Sequence, residues 1–293
     1  MARKGPEKRA TWRSLVEGEA PPLLPAAHDG LTAKLIERAG FKAYQVGGFA
    51  LAGARHGFPD IDLVHYGEQS AGVRDIIAAT TLPVMVDADD CYGEVKNMTR
   101  TIRGYEMLGA SAIFFEDQLA PKRCGHMEGK EVIPAEAMVS KVKAAVGARR
   151  DPDLFLVART DARATEGGLD EALRHAELYV KAGADGLFIE GPRSVEELER
   201  IGKAFEGVPK IANMLEGGIT PLLTPAELHA MGFAMVTYAT SLIFRATRTI
   251  EKALDEMKAG RLDLEGEGVN FKEFEEIVGL PAWAAIEEEY GKG

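Results

Sequence analysis

Four times along this chain, a segment with helical character ends at a glycine and an apolar segment follows at once. The four junctions join residues 37–40 to 43–46, 106–109 to 112–115, 180–183 to 186–189 and 229–232 to 234–237. A glycine just past a helix takes the left-handed conformation that ends it. Short runs that are apolar on both faces are typical of parallel strands covered by helices. This alternation is the strongest constraint on the fold.

Four further apolar runs bring the number of predicted strands to eight, and nearly all are separated by enough chain for a helix. These runs cover residues 22–26, 83–86, 154–157 and 210–213. No Gly-x-Gly-x-x-Gly opens a helix after the first strand, where Asp29 instead reads as a helix N-cap. We therefore predict an α/β protein with an eight-stranded (β/α)8 TIM-type barrel rather than an open dinucleotide-binding sheet.

The domain boundaries follow from the same pattern. We expect an N-terminal extension over residues 1–20, whose first nine residues form a solvated tail, and the barrel over 21–258. The chain continues from Ser241 as a long helix, passes a glycine-rich segment at 262–268 and ends in an aromatic helical tail near Tyr290. We predict that this tail, residues 259–293, packs on the barrel or on a partner subunit.

Composition excludes several classes of function. The formal net charge of −11 argues against nucleic acid as a partner. No run approaches the ~20 apolar residues that a membrane-spanning helix needs, and the basic N-terminus lacks the apolar region of a secretory signal. Two cysteines fit a reducing compartment better than a disulfide framework. We expect a soluble, cytoplasmic protein.

Polar side chains follow the predicted strands where a barrel places its active site, at the carboxyl ends. They are Asp87 and Asp89 after the third strand, Glu116 and Asp117 after the fourth, Arg159 and Asp161 after the fifth, Glu190 after the sixth, and Asn213 and Glu216 after the seventh. Converging carboxylates repel one another unless a cation joins them. Oxygen ligands without clustered His or Cys suit Mg²⁺ or Mn²⁺.

Asp87 and Asp89 are our candidates for direct metal ligands. In a regular strand their side chains would point to opposite faces, so both can reach one ion only if the chain bends there, helped by Gly93. Asp90 is expected to be a solvated loop charge, and Cys91 a packing residue.

A reactive thiol is predicted at Cys124, which lies between two cations, Lys122 and Arg123, and the pair Gly125-His126. Neighbouring positive charge lowers the pKa of a thiol, and glycine lets the backbone approach a substrate closely. For anion binding, Arg159 ends a buried strand and needs a carboxylate, from the substrate or from Glu190. The pair Gly217-Gly218 frees backbone N–H groups. Arg245 could bind a second carboxylate or form a surface salt bridge.

The pentapeptide at 122–126 resembles the signature of the isocitrate lyase/phosphoenolpyruvate mutase superfamily, and the similarity runs in order through nearly the whole chain. The other matching motifs are Val86-Asp87-Ala88-Asp89, Glu116-Asp117-Gln118, Ala158-Arg159-Thr160-Asp161-Ala162, Phe188-Ile189-Glu190 and Asn213-Met214-Leu215-Glu216-Gly217-Gly218. The last of these, together with residues 48–51 and 271–278, is similar to lyases of 2-alkylmalates and 2,3-dimethylmalate, the group that includes the plant petal-death protein. Methylisocitrate lyases are close to this group.

The resemblance implies an Mg²⁺- or Mn²⁺-dependent carbon–carbon lyase that cleaves a 2-hydroxy dicarboxylate to a 2-keto acid and a carboxylate. Alternatives are an oxaloacetate hydrolase or decarboxylase, a phosphonate-type phosphomutase and a catalytically idle barrel that acts as an interaction protein. The implied assembly is a homotetramer whose subunits exchange their eighth helices. Many members carry serine or threonine where this chain has Gly47, which suggests an altered, more apolar substrate pocket.

From the residues and the resemblance together, we assign three sets of candidate site residues. The catalytic set is Cys124, Arg159, Glu116 and His126. The metal set is Asp87 and Asp89, with Asp60, Glu116 and in some members Asp117 acting through water. The substrate-binding set is Gly47, Gly48, Phe49, Lys122, Gly125, Arg159, Glu190, Asn213, Glu216, Gly217, Gly218 and Arg245.

Overall fold

Eight parallel strands form one sheet in the computed structural model, which describes residues 10–261 and 267–291. The strands are β1 (Leu23–Pro25), β2 (Tyr44–Val46), β3 (Val84–Asp87), β4 (Ala112–Glu116), β5 (Phe155–Thr160), β6 (Gly186–Ile189), β7 (Lys210–Asn213) and β8 (Met235–Tyr238). Their spatial order runs from β1 through β8 and back down to β2. A parallel bridge between Ala26 and Gln45 joins the two ends of the sheet, so the predicted (β/α)8 barrel is confirmed.

Helices alternate with the strands along the chain, and most of them cover the outside of the barrel. They are α1 (Trp12–Val16), α2 (Gly30–Arg38), α3 (Gly48–His56), α4 (Tyr66–Ile77), α5 (Val95–Leu108), α6 (Ala135–Ala148), α7 (Gly168–Lys181), α8 (Val195–Ala204), α9 (Pro225–Ala230), α10 (Ser241–Lys258), α11 (Phe271–Val278) and α12 (Leu280–Tyr290), with a 3-10 turn at Ala162–Ala164. Asp29 caps α2 as predicted, since its side chain accepts a hydrogen bond from the N–H of Thr32. Gly109, the C-cap of α5, has a φ of 96°, which only glycine adopts without strain.

The apolar core has two layers, inside the barrel and between the strands and their helices. The inner layer contains side chains such as Met85, Phe155 and Met235. Trp12 of α1 belongs to it and is 0% exposed; its indole N–H points to the Met235 sulfur, 3.4 Å away. A helix from the segment predicted as an N-terminal extension therefore closes the amino-terminal end of the barrel.

The C-terminal helices differ from the rest because they bury so little. In α10 only Ser241 is buried, while α11 and α12 have no buried residue. Large apolar side chains are exposed on them, including Phe271 at 90% and Trp283 at 68%. The predicted tail at residues 1–9 and most of the glycine-rich segment lie outside the described residues. Within those residues, none of the helices combines the length and hydropathy required to cross a bilayer.

Candidate active site

A cavity of about 50 Å³ lies at the carboxyl ends of the strands. Ten of the predicted site residues line it: Gly47, Phe49, Asp60, Asp87, Cys124, Gly125, His126, Arg159, Glu190 and Asn213. A cavity of this size holds only a few water molecules. The structure thus brings the predicted residues together around one small cavity, which leaves little room for a substrate unless part of the wall moves.

Asp87 and Asp89 approach each other because the chain bends after β3. Asp87 is the last residue of the strand, and Asp89 has a φ of 50°, in the left-handed region. The chain therefore bends at Asp89, just after the strand end, and Gly93 also has a positive φ, of 135°. A Cβ built on Gly48 would lie 3.5 Å from Asp87 Oδ2 and 3.0 Å from Asp89 Oδ1, so both carboxylates reach one point beside Gly48.

This acid cluster is buried and its charges are only partly matched. Burial raises the pKa of Asp87, and raises the pKa of Asp89 to about 6, although Lys122 opposes both shifts. Lys122 Nζ contacts Asp60 and lies 2.5 Å from Asp89 Oδ1. Burial opposes the charge of Lys122 as well, but Asp89 and Asp60 outweigh it, so the lysine pKa is well above its usual range. Predicted as a substrate ligand, Lys122 instead ties the loop after β4 to the acidic residues.

The donor set fits a hard divalent cation. Glu116 Oε1 is buried and accepts no hydrogen bond, and Asp89 Oδ1 accepts none with good geometry despite its contact with Lys122. Burial raises the pKa of Glu116 well above its usual range, so its ionised form needs a further cation. No three acidic, imidazole or thiol side chains among residues 10–261 and 267–291 converge closely enough to ligate one ion directly. A bound Mg²⁺ would therefore retain several waters, as this ion usually does.

Asp117, by contrast, faces away from the cavity. It follows Glu116 along the chain and so points to the opposite side of the strand. Its carboxylate accepts hydrogen bonds from Thr160 Oγ1 at 2.7 Å, Asp161 N at 2.9 Å and Tyr179 Oη at 2.7 Å, and it lies 3.0 Å from His175 Nδ1. The prediction that Asp117 joins the water-mediated metal shell is wrong, because protein donors already occupy both of its oxygens.

Arg159 is the main positive charge of the cavity wall. Its guanidinium lies 2.9 Å from Asp161 Oδ2, 3.2 Å from Glu116 Oε2 and 3.6 Å from Glu190 Oε2. Burial favours the neutral form of Glu190, but Arg159 and His126 together outweigh it and lower the pKa of Glu190. Arg159 and Lys130 likewise outweigh burial at Asp161, whose pKa falls to about 2. Arg159 was predicted to need an anion, and three carboxylates of the protein provide it.

The catalytic loop, residues 118–132 after β4, carries Cys124 and packs against the barrel. Gly125 packs so closely that a Cβ there would lie 2.5 Å from Arg159 Nη2 and 2.6 Å from Glu190 Cγ, so any other residue would displace these side chains. His126 reaches Glu190 Oε1 at 3.3 Å with Nε2 and accepts a hydrogen bond at Nδ1 from Ile219 N at 3.1 Å. The loop thereby covers the cavity and places the thiol in its wall.

The expected low pKa of Cys124 is wrong. Burial raises the pKa of this thiol to about 11, and a backbone hydrogen bond offsets only part of that effect. The two neighbouring cations do not help, because Arg123 is exposed and Lys122 is paired with Asp60 and Asp89. At neutral pH the resting protein therefore holds a protonated thiol, the form required of a general acid. Cys91 is fully buried in the core, as predicted.

Several predicted binding residues do not line the cavity. Glu216 Oε1 lies 2.8 Å from Arg245 Nη2, and both side chains are exposed, so Arg245 forms the surface salt bridge that was its alternative role. Gly217 is also outside the wall. Gly218 contributes close packing, since a Cβ there would lie 2.5 Å from His126 Nδ1. Residues 216–218 of the loop after β7 thus lie outside the cavity wall, and Gly218 packs against the catalytic loop.

Sequence reasoning missed seven wall residues: Gln45, Phe114, Phe188, Leu215, Thr237, Ala239 and Thr240. Gln45 was detectable as a polar residue inside an apolar strand. Thr237 donates a hydrogen bond to Asn213 Oδ1 at 3.0 Å, and Thr240 Oγ1 is buried without a partner. Threonines are common in strands, so these two carried no distinguishing signal.

Comparison with known proteins supports the family resemblance that the sequence motifs indicate. The family model for phosphoenolpyruvate phosphomutase matches residues 12–258. The chain is 42% identical to 2,3-dimethylmalate lyase of Eubacterium barkeri, over 97% of this chain and 98% of that protein. It is 40% identical to 2-methylisocitrate lyase of Bacillus subtilis (strain 168), over 89% and 85% of the two chains.

A solved structure shares the fold of this chain. Oxaloacetate acetylhydrolase in complex with 3,3-difluorooxalacetate superimposes with a TM-score of 0.91 at 28% identity, over 97% of both chains. The family match, the curated relatives and the barrel fold together show that this chain belongs to the phosphoenolpyruvate phosphomutase family of the isocitrate lyase/phosphoenolpyruvate mutase superfamily and is a carbon–carbon lyase.

Proposed function

We propose that this enzyme cleaves a 2-hydroxy dicarboxylate of the 2-alkylmalate, dimethylmalate or methylisocitrate type, in an Mg²⁺- or Mn²⁺-dependent reaction, to a 2-keto acid and a carboxylate. The observation that carries the proposal is that Asp87 and a protonated thiol, Cys124, line one small cavity, with Asp89 meeting Asp87 beside Gly48. The cluster suits a chelating 2-hydroxy acid with its cation, and the thiol suits proton delivery to carbon.

The cation, when bound beside Asp87 and Asp89, supplies Lewis-acid stabilisation of the substrate 2-oxygen. Glu116, with its free Oε1, accepts the proton of the 2-hydroxyl. The bond between carbons 2 and 3 then breaks, carbon 2 becomes the keto carbon, and the electron pair remains on carbon 3, stabilised by its carboxylate. Cys124 delivers its thiol proton to carbon 3. In the condensation direction, the thiolate removes that proton.

Arg159 and the covering loop protect this intermediate. Arg159 lines the cavity beside Glu190 and Asn213, where its charge can bind a substrate carboxylate. The loop at 122–126 excludes water, which would otherwise protonate the carbanion without control. Because the resting cavity is only about 50 Å³, we expect the loop to move aside when a substrate binds.

The pocket favours substrates with an alkyl substituent. A Cβ at Gly47 would meet no heavy atom within 4 Å, so the space that a serine or threonine side chain would fill at this position is open. Phe49, supported edge-on by Phe244 at 5.9 Å, provides an apolar wall near this space. These features support a 2- or 3-alkylated malate over unsubstituted malate or isocitrate.

A screen of 2-substituted malates with Mg²⁺, coupled to detection of 2-keto acids, tests this proposal. We expect at least one alkylmalate to release a keto acid and a carboxylate in equal amounts. Release of oxalate and acetate from oxaloacetate, with no cleavage of any alkylmalate, would identify a hydrolase instead. Interconversion of a phosphonate and a phosphate ester would identify a phosphomutase.

We also propose that the protein works in the cytoplasm as a homotetramer that exchanges its α10 helices. Two free cysteines support a reducing compartment. The weakly buried α10, with Ile250, Leu254 and Met257 more than half exposed, supports a partner surface on this helix. Light scattering on the purified protein measures the mass directly, and a monomer at micromolar concentration would contradict the assembly.

A further inference from the structure

Lys130 joins the catalytic loop to the barrel from outside the substrate cavity. Its Nζ donates to the carbonyl of Gly125, and to Asp161 Oδ1 at 2.8 Å. The lysine side chain is 3% exposed and that of Asp161 is 0% exposed. Lys130 is absent from the cavity wall, so these contacts lie outside the space that would receive the substrate.

Lys130 lies on the part of the loop that is fixed to the barrel. The two ends of the loop meet in an antiparallel bridge between Gln118 and Val132. Leu119 N donates to Glu131 O at 2.8 Å, and Ile133 N donates to Asp117 O at 2.8 Å. Lys130 directly precedes Glu131 of this anchored base, whereas Gly125 lies at the tip of the loop. A single ammonium group therefore links the tip to both the base and the barrel wall.

The partner of Lys130 also positions Arg159. Asp161 Oδ1 accepts from Lys130 and, at 3.1 Å, from Arg159 Nη2. Asp161 is itself fixed by its backbone N–H, which donates to Asp117 Oδ1 at 2.9 Å. A buried charge pair of this kind is costly to break from one side, because the remaining charge loses its partner. Through Lys130, Asp161 therefore fixes the position of the loop tip relative to Arg159.

We propose that Lys130 is a positioning residue that holds the catalytic loop closed, by clamping the Gly125 carbonyl to Asp161 and so placing Cys124 over the substrate. The other side chains that hold the loop, Lys122 and His126, contact residues of the metal cluster and the cavity. Lys130 differs from both because its partner, Asp161, belongs neither to the cavity wall nor to the Asp87–Asp89 acid cluster.

The test compares Lys130→Met with the native protein and with Lys143→Met, the same substitution at an exposed lysine of α6. Alkylation of Cys124 by iodoacetamide, followed on its own peptide by mass spectrometry, reports loop opening without any substrate. We expect Lys130→Met to speed this alkylation about tenfold or more, the change expected when a charge-assisted hydrogen bond no longer favours the closed loop. Lys143→Met should react at the native rate.

The catalytic consequence rests on the proposed function and is measured separately with 2,3-dimethylmalate and Mg²⁺. Lys130→Met should lower kcat and kcat/KM together by ~10²-fold, as expected when a reacting group is displaced by about 1 Å. Lys130→Arg, which keeps the charge, should recover part of both effects. Lys130→Gln, which keeps a donor for Gly125, provides a milder variant if Lys130→Met fails to fold.

Native-like alkylation of Cys124 in both Lys130→Met and Lys130→Gln would overturn the inference. If alkylation accelerates as expected but even the native protein does not cleave dimethylmalate, the clamp stands and the substrate assignment is wrong.

Discussion

The carboxylate of Asp161 holds the guanidinium of Arg159 with both oxygens, at 2.9 Å from Nε and 3.1 Å from Nη2. The two residues are separated only by Thr160, whose hydroxyl turns to Asp117. One short segment at the end of β5 thus presents a cation to the cavity and supplies the anion that fixes it. This pair makes a testable contribution to stability.

Replacing Asp161 by asparagine should destabilise the fold. Removing one partner of a buried charge pair costs about 3–5 kcal/mol, and Asp161 supports both Arg159 and Lys130. Denaturant unfolding at pH 7 measures the loss. Asp170→Asn is the control; its side chain is 76% exposed and paired with Arg200, so we expect a change within about 0.5 kcal/mol.

The same carboxylate predicts a pH dependence. Its pKa is about 2 in the folded protein and about 3.9 when unfolded, so the folded state favours the charged form. The stabilisation is present above pH 4 and is lost as pH falls toward 2; by linkage it amounts to about 2–3 kcal/mol. Asp161→Asn should therefore show a shallower loss of stability over this range than the native protein. Parallel curves for the two proteins would argue against this assignment.

Activity should require Mg²⁺ or Mn²⁺. Asp87→Ala and Asp89→Ala should each abolish turnover and Mg²⁺ binding, measured by calorimetry, while circular dichroism stays native. Since burial raises the pKa of Asp89 to about 6, protons should compete with the cation and weaken its binding below that pH. Full turnover of the native enzyme in excess chelator would rule out a catalytic metal.

Cys124→Ser should lower turnover by roughly 10²–10⁴-fold, the usual contribution of a positioned acid–base group. Serine preserves shape and neutral charge, so substrate and Mg²⁺ affinity should stay close to native. Cys91→Ser is the matched control because Cys91 is buried in the core, and it should keep most of the activity. A Cys124→Ser enzyme with near-native kcat would leave Cys124 with a structural role only.

Alkylation of Cys124 should be slow at neutral pH. With a pKa of about 11, the thiolate fraction at pH 7 is ~10⁻⁴, and the rate should rise about tenfold per pH unit without a plateau below pH 10. Substrate with Mg²⁺ should slow the reaction further by keeping the loop closed. A rate that levels off near pH 8 would mean that the thiol titrates in a more exposed loop.

Phe49→Ala should reduce the preference for alkylated substrates. A methylene group in an apolar pocket discriminates by about 1–3 kcal/mol, so the ratio of kcat/KM for an alkylmalate over malate should fall by ~10-fold or more. Phe58→Ala is the control, since Phe58 is 46% exposed and stacks on His56 away from the cavity. Native turnover of isocitrate above that of every alkylmalate would refute the pocket argument.

The barrel and most of its site followed from the sequence because the alternation of helix and strand places the strand ends. Asp87, Glu116 and Arg159 could be located that way, since each ends an apolar run. Strand alternation also predicts that Asp117 points away from the side of Glu116, whereas the family resemblance implied that Asp117 joins the metal shell.

The contacts of the loop at 118–132 could not be predicted. Lys122 and Arg123 are adjacent in sequence to Cys124, yet one is bound to Asp60 and the other is exposed. The environment of the thiol depends on how the loop folds back on the barrel. Residue spacing within the loop does not contain that information.

Trp12 has a consequence for how the chain reaches its native state. Its indole contacts Met235 of β8, 223 positions later, and β1 is paired with β8. The barrel interior can therefore be completed only after the last strand has left the ribosome. Contacts of such long sequence separation slow folding, so the nascent protein must keep Trp12 and the inner strand faces from aggregating during most of its synthesis. The segment ahead of the first strand is made first and finds its place last.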